Sequence, residues 1–145
     1  MGNRILGLDV GDRTVGVAAS DELLMTAQGV ENIRRTSLKK DIARLDALMR
    51  EYDATRLVVG LPKNMNGTEG GNCELVRKFA EAIRAVRPDA EIVFRDERLS
   101  TVAAEKSLIA ADVSRSRRKQ VIDKMAAVFI LQGYLDGLAM KRSDG

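Results

Sequence analysis

The apolar pattern of this chain opens at strand period and then alternates between helical and strand runs, and that change dictates the fold class. Up to Ile33 the hydrophobic residues fall in strand-length runs. Arg4 to Leu8 and Val15 to Ala19 are two of them, joined through the turn signal Gly11-Asp12-Arg13-Thr14. So short a link makes a hairpin, and a third extended piece from Ala27 to Ile33 completes a meander. Beyond it the spacing becomes helical. Leu38, Ile42, Leu45, Leu48, Met49 and Tyr52 form one stripe behind a Thr36 or Ser37 cap. Leu75, Val76, Phe79, Ile83 and Val86 form a second, which Pro88 ends. Leu57-Val58-Val59-Gly60 and Ile92-Val93-Phe94 are continuously apolar, as in strands covered on both faces. Ser100 can cap a short helix to about Ala111. Asp112 to Arg118 is polar and basic. Lys119 to Met140 reads as a helix apolar almost all round, and therefore largely covered.

The order is βββαβαβαα. It predicts an α/β fold, a mixed five-stranded sheet flanked by helices, in a single domain over residues 1–145. Right-handed crossovers put the parallel strands side by side. Ligands of such sheets gather beyond the carboxyl ends of the strands. Three unusual stretches fall there: Asp9, Gly60-Leu61-Pro62-Lys63-Asn64 and Asp96-Glu97-Arg98-Leu99-Ser100.

Two of the acids stand where a charge is costly. Asp9 is just inside the end of the first strand. Asp123 begins a helical face that continues through Ala127, Ile130 and Tyr134. The nearest cation in sequence, Lys124, points about 100° away. A divalent cation shared by Asp9, Asp123 and the Asp96-Glu97 pair would serve them all, and hard oxygen ligands suit Mg²⁺ or Mn²⁺. Such ions activate water and stabilise the leaving oxygen in phosphodiester cleavage. Each acid has a structural reading as well. Asp9 could open a turn, Asp96 and Glu97 could answer Arg95 and Arg98 in solvent, and Asp123 could cap a helix.

Composition narrows the chemistry. The 145 residues include no histidine and one cysteine, Cys73. That excludes Ser-His-Asp and Cys-His nucleophilic chemistry, zinc sites of the Cys/His kind and any internal disulfide. No apolar run approaches the ~18 residues of a membrane span, and strand 1 starts at once, so a cytoplasmic protein without a secretory signal is expected. The net charge of +3 permits a nucleic-acid partner.

Four segments together, LGLDVGDRTVGVA, VVGLPKNMNGTEG, RDERLSTVAAE and KQVIDKMAAVFILQGYLD, are similar to the YqgF family over nearly the whole chain. These are ribonuclease H-like proteins, described both as Holliday junction resolvases and as nucleases maturing the 16S ribosomal RNA precursor. The resemblance implies a three-carboxylate catalytic and metal site that maps onto Asp9, Glu97 and Asp123, with Asp96 the second choice. It implies a nucleic-acid substrate, precursor rRNA or branched DNA. The chain has Lys124 where the family often has a small residue.

Contacts to that substrate are expected from Lys63, Asn64 and Arg98 at the sheet edge. More are expected from Arg115, Arg117, Arg118 and Lys119 in the basic run before the Asp123 helix. With 3% aromatic residues and no tryptophan, recognition should lean on backbone and shape rather than stacking. Three function classes compete: a metal-dependent nuclease, a nucleotide-binding module and a non-catalytic nucleic-acid binder. Asp9 to Gly16 also resembles the first phosphate hairpin of actin-like and sugar-kinase ATPases, but those close two such domains around ATP. A monomer and a homodimer are both compatible with the sequence.

Overall fold

The computed structural model describes residues 4–61, 71–96 and 115–144, without the side chains of 71–72, 115–124 and 142–144. Strands β1 (Arg4–Val10), β2 (Thr14–Ser20) and β3 (Ala27–Arg34) lead the chain. Helix α1 (Leu38–Glu51), strand β4 (Ala54–Leu61), helix α2 (Gly71–Val86), strand β5 (Glu91–Asp96) and helix α3 (Arg115–Asp144) follow. The short helix expected from Ser100 to Ala111 lies outside the described residues.

One five-stranded sheet runs in the order β3-β2-β1-β4-β5. The leading strands pair antiparallel, and β1, β4 and β5 are parallel. The mixed α/β sheet expected from the change of period is therefore present, with β1 at its centre. The carboxyl ends of β1, β4 and β5 meet at one edge because parallel strands share a direction.

Alternation along the strands divides the core in two. Leu6, Leu8, Val10, Val15, Val17, Leu57 and Val59 point to one face, where α1 and α2 bury Leu45, Leu48, Phe79 and Ile83 on them. Ile5, Ala18 and Val58 point to the other, where, among the described residues, α3 packs Ala126, Ala127, Ile130, Leu131 and Leu135 on them. Burying a leucine of this kind stabilises the fold by roughly 1.5–3 kcal/mol. Ser37 caps α1, its hydroxyl accepting from Lys40 N at 3.2 Å.

One expectation needs correction. Helix α3 starts at Arg115 instead of Lys119, so the basic run is its first turns and not a loop before it. Arginine, lysine and glutamine are good helix formers, and nothing in Arg115 to Lys119 breaks a helix. From Met125 to Leu135 α3 is covered, wholly or in part, and Asp136, Ala139, Met140 and Lys141 are exposed where it runs past the sheet. Among the described residues no helix is long and apolar enough to cross a membrane.

Candidate active site

Asp9 is the penultimate residue of β1 and is half-buried. It has the parity of Ile5 and Gly7, which places it on the α3 face of the sheet. Its register partner on β2 is Gly16, which has no side chain to crowd it. The turn that follows is firmly held. Gly11 N donates to Thr14 O at 2.9 Å, and Arg35 N donates to Arg13 O at 2.8 Å. The Arg35 guanidinium reaches under the same turn, Nη1 donating to Gly11 O at 2.9 Å.

Arg35 is itself fixed from two sides. Its Nε donates to Asp41 Oδ2 at 3.1 Å, and its guanidinium lies 5.3 Å from the centre of the Phe79 ring. Asp41 is buried on α1, and its second oxygen accepts from Thr36 N at 3.1 Å. This pair was missed in the sequence, though a signal existed. Asp41 shares a helical stripe with Leu45 and Leu48, the same kind of misplaced acid as Asp123.

Helix α3 crosses the Asp9 face in a defined direction. Gln132 accepts from Ala27 N at 2.9 Å, and Arg56 lies 3.4 Å from the Tyr134 hydroxyl, both near the starting end of β1. Ala127 and Leu131 lie directly over Gly7. The helix therefore runs against β1, and its earlier turns lead toward the carboxyl end of that strand. Position 123 is four residues, about 6 Å along the helix, before Ala127. Position 9 is two residues, about 6.6 Å, beyond Gly7. The backbone thus carries residue 123 toward Asp9.

Asp96 stands differently. It ends β5 in register with Leu61, which is buried on the opposite face, and it has the parity of Ile92 and Phe94. Arg95 has the Asp9 parity instead, and its guanidinium abuts Gly133 of α3. Lys63, Asn64, Glu97 and Arg98 lie outside the described residues. Arg115, Arg117, Arg118, Lys119 and Asp123 are placed on the α3 backbone only. Among the described residues no three acids, histidines or cysteines come together as a metal-binding group. Cys73, in the first turn of α2, is buried in the core on the face opposite Asp9.

Comparison with known proteins bears on this arrangement. Residues 3–137 match the model of a family described as RuvX, Holliday junction resolvase. A protein of Desulforamulus reducens is 60% identical over 92% of this chain and 96% of its own. One of Clostridioides difficile is 59% identical over 92% of this chain and 94% of its own. Both are provisionally named pre-16S rRNA nuclease. Among solved structures, RuvC of T. thermophilus in complex with a Holliday junction substrate superposes with a TM-score of 0.59 at 11% identity, over 94% of this chain and 96% of that one. The Fowlpox virus Holliday junction resolvase gives 0.52 at 16% identity, over 93% and 99%. At such identities the likeness is one of fold, and it is the ribonuclease H-like fold expected from the sequence.

Proposed function

The chain belongs to the RuvX family, and from that premise we propose that it hydrolyses phosphodiester bonds in structured nucleic acid, at a site made by Asp9, Glu97 and Asp123. The observation that carries this reading is the course of α3 over β1, which brings position 123 toward the half-buried carboxylate of Asp9 at the edge where three parallel strands end. Asp96 has the parity of the opposite face, which favours Glu97 as the third acid.

The donor set fits a hard divalent cation, Mg²⁺ or Mn²⁺. It is all carboxylate oxygen, in a chain with no histidine and with its one cysteine buried elsewhere. When bound, the cation supplies activation of water and neutralisation of the leaving oxygen. The chain's own residues do the rest. Asp9 is oriented by a strand on one side and by the Arg35-held turn on the other, so its carboxylate needs little reorganisation. The basic start of α3 and Lys63, Asn64 and Arg98 hold substrate phosphates, which fixes the scissile bond against the site. Water adds to phosphorus as the bridging oxygen departs.

The names of the relatives favour precursor 16S rRNA as substrate. The resolvase folds favour branched DNA as the second reading. Labelled precursor rRNA and a four-way DNA junction, each incubated with the purified protein in Mg²⁺, Mn²⁺ or EDTA, test both. Cleavage of the rRNA in Mg²⁺ or Mn²⁺ and none in EDTA is expected. Undiminished cutting in EDTA excludes the mechanism, and cutting of the junction alone selects the second reading. Asp9→Asn and Asp123→Asn should each remove most activity and should not add, because the acids act as a unit.

A further inference from the structure

Two arginines beside the Asp9 turn have no acid to answer. Arg13 lies in the turn and Arg34 ends β3, both exposed. Among the described residues neither guanidinium makes an ion pair or hydrogen bond. Most arginines with described side chains behave otherwise. Arg35, Arg44, Arg50, Arg56, Arg84 and Arg87 are each bound to a carboxylate. The acids closest to Arg34 in sequence are already engaged, Glu31 by Arg44 at 2.6 Å and Asp41 by Arg35 at 3.1 Å. Asp12 is exposed in the turn itself and is paired with neither arginine.

The register fixes where this charge stands. Asp9 pairs with Gly16, Gly16 with Asn32 and Thr14 with Arg34. Ile33 points into the α1 and α2 core, so Arg34 has the opposite parity and shares the face of Asp9. It is two strands across and two residues further along, which strand spacing and rise make about 12 Å between Cα atoms. Arg13 is held beside it, its carbonyl accepting from Arg35 N and its turn clamped by the Arg35 side chain. The basic start of α3 and the β4 and β5 ends belong to other parts of the same region. Arg13 and Arg34 occupy the flank formed by β1, β2 and β3.

We propose that Arg13 and Arg34 bind the sugar–phosphate backbone of the substrate on this flank, lengthening the track along which a strand crosses the site. The proposal rests on the nucleic-acid-cleaving reading above and adds to it a binding position. Two exposed guanidiniums with no internal partner, on a turn that cannot collapse, are suited to phosphate: they lose no ion pair when they bind, and their forked donors match its oxygens.

Binding measured in EDTA, where no turnover occurs, tests this apart from catalysis. Fluorescence anisotropy of a labelled precursor-rRNA fragment and of a four-way DNA junction is followed between 50 and 300 mM salt. The parent is compared with Arg13→Gln/Arg34→Gln, with Arg13→Lys/Arg34→Lys, and with Lys39→Gln/Lys40→Gln on the outside of α1. Two lost phosphate contacts should reduce the slope of log K against log salt by roughly 1.4 to 1.8. The lysine pair should keep most of the slope, and the α1 pair all of it. A glutamine pair that melts like the parent and keeps its salt slope overturns the proposal and leaves the nuclease reading standing. A parent that binds neither nucleic acid overturns both.

Discussion

Gly7 of β1 and Leu131 of α3 approach so closely that a Cβ on the glycine would lie 2.6 Å from the leucine Cβ and 2.9 Å from Ala127 O. Neither neighbour is the far end of a flexible chain, so the helix itself must give way. Gly7→Ala should therefore destabilise the protein by about 1–3 kcal/mol, as overpacking does. Lifting α3 also moves the backbone at position 123 away from Asp9. Cleavage at a temperature where the variant is still fully folded should fall at least tenfold. A urea titration and a single-turnover assay on the same sample separate the two effects.

The Arg35–Asp41 pair should be costly to break from either end. Asp41 is 2% exposed and the Arg35 side chain 14%. Asp41→Ala leaves a buried guanidinium without its carboxylate and Thr36 N without its acceptor. A loss of about 3–5 kcal/mol is expected, measurable by denaturant unfolding. Replacing both partners together, Arg35→Met with Asp41→Leu, should cost less than Asp41→Ala alone, because no orphaned charge remains.

Acid should loosen the β2–β3 hairpin first. Hydrogen bonds from Thr26 N and Met25 N hold the Asp21 carboxyl below its ordinary value. Hydrogen bonding from Arg44 does the same for Glu31. A depressed folded pKa gives stability that is present above the unfolded value, ~4, and is lost as pH falls through the folded one. The parent should thus lose stability between about pH 5 and 2 more steeply than Glu31→Gln, in which the ion pair is already gone. Partial exposure keeps the Glu31 contribution to ~1 kcal/mol or less. Urea midpoints of both proteins across that range check the sign.

Divalent cation should stabilise the parent and not Asp9→Asn. A ligand bound only by the folded state adds about 2.7 kcal/mol at a hundred times its dissociation constant. Melts in EDTA and in increasing Mg²⁺ should show Tm rising for the parent and nearly flat for the variant. Equal rises in both would remove Asp9 from the ligand set.

Local patterns of the chain were readable, and long-range contacts were not. Val15, Val17 and Ala19 alternate with Thr14, Gly16 and Ala18 in the sequence, and the two sets do face different cores. The run at Leu57 to Gly60 marks a parallel strand covered on both faces, whereas Ile92 to Phe94, read the same way, is only half-buried because β5 is the edge strand of the sheet. Asp9 was legible as a misplaced acid at a strand end. The start of α3 was misread, since Arg115 to Lys119 looks like a solvated loop until its helix propensity is counted. Gly7 carries no local sign of its role: only the packed helix explains why nothing larger fits. Arg35 likewise reads as one more surface cation. Its partners Gly11, Asp41 and Phe79 lie 24, 6 and 44 residues away, and no periodicity links them.

The two faces of the sheet become covered at different moments of biosynthesis. Everything needed to bury Leu6, Leu8 and Val59 has left the ribosome once α2 and β5 have emerged, so that half can fold vectorially. The face bearing Ile5, Ala18 and Val58 waits for α3, which follows all the rest. Until then Asp9 lacks the helix that carries position 123. On the proposed site, cutting competence would arrive only when α3 docks, after the opposite half of the fold is already formed.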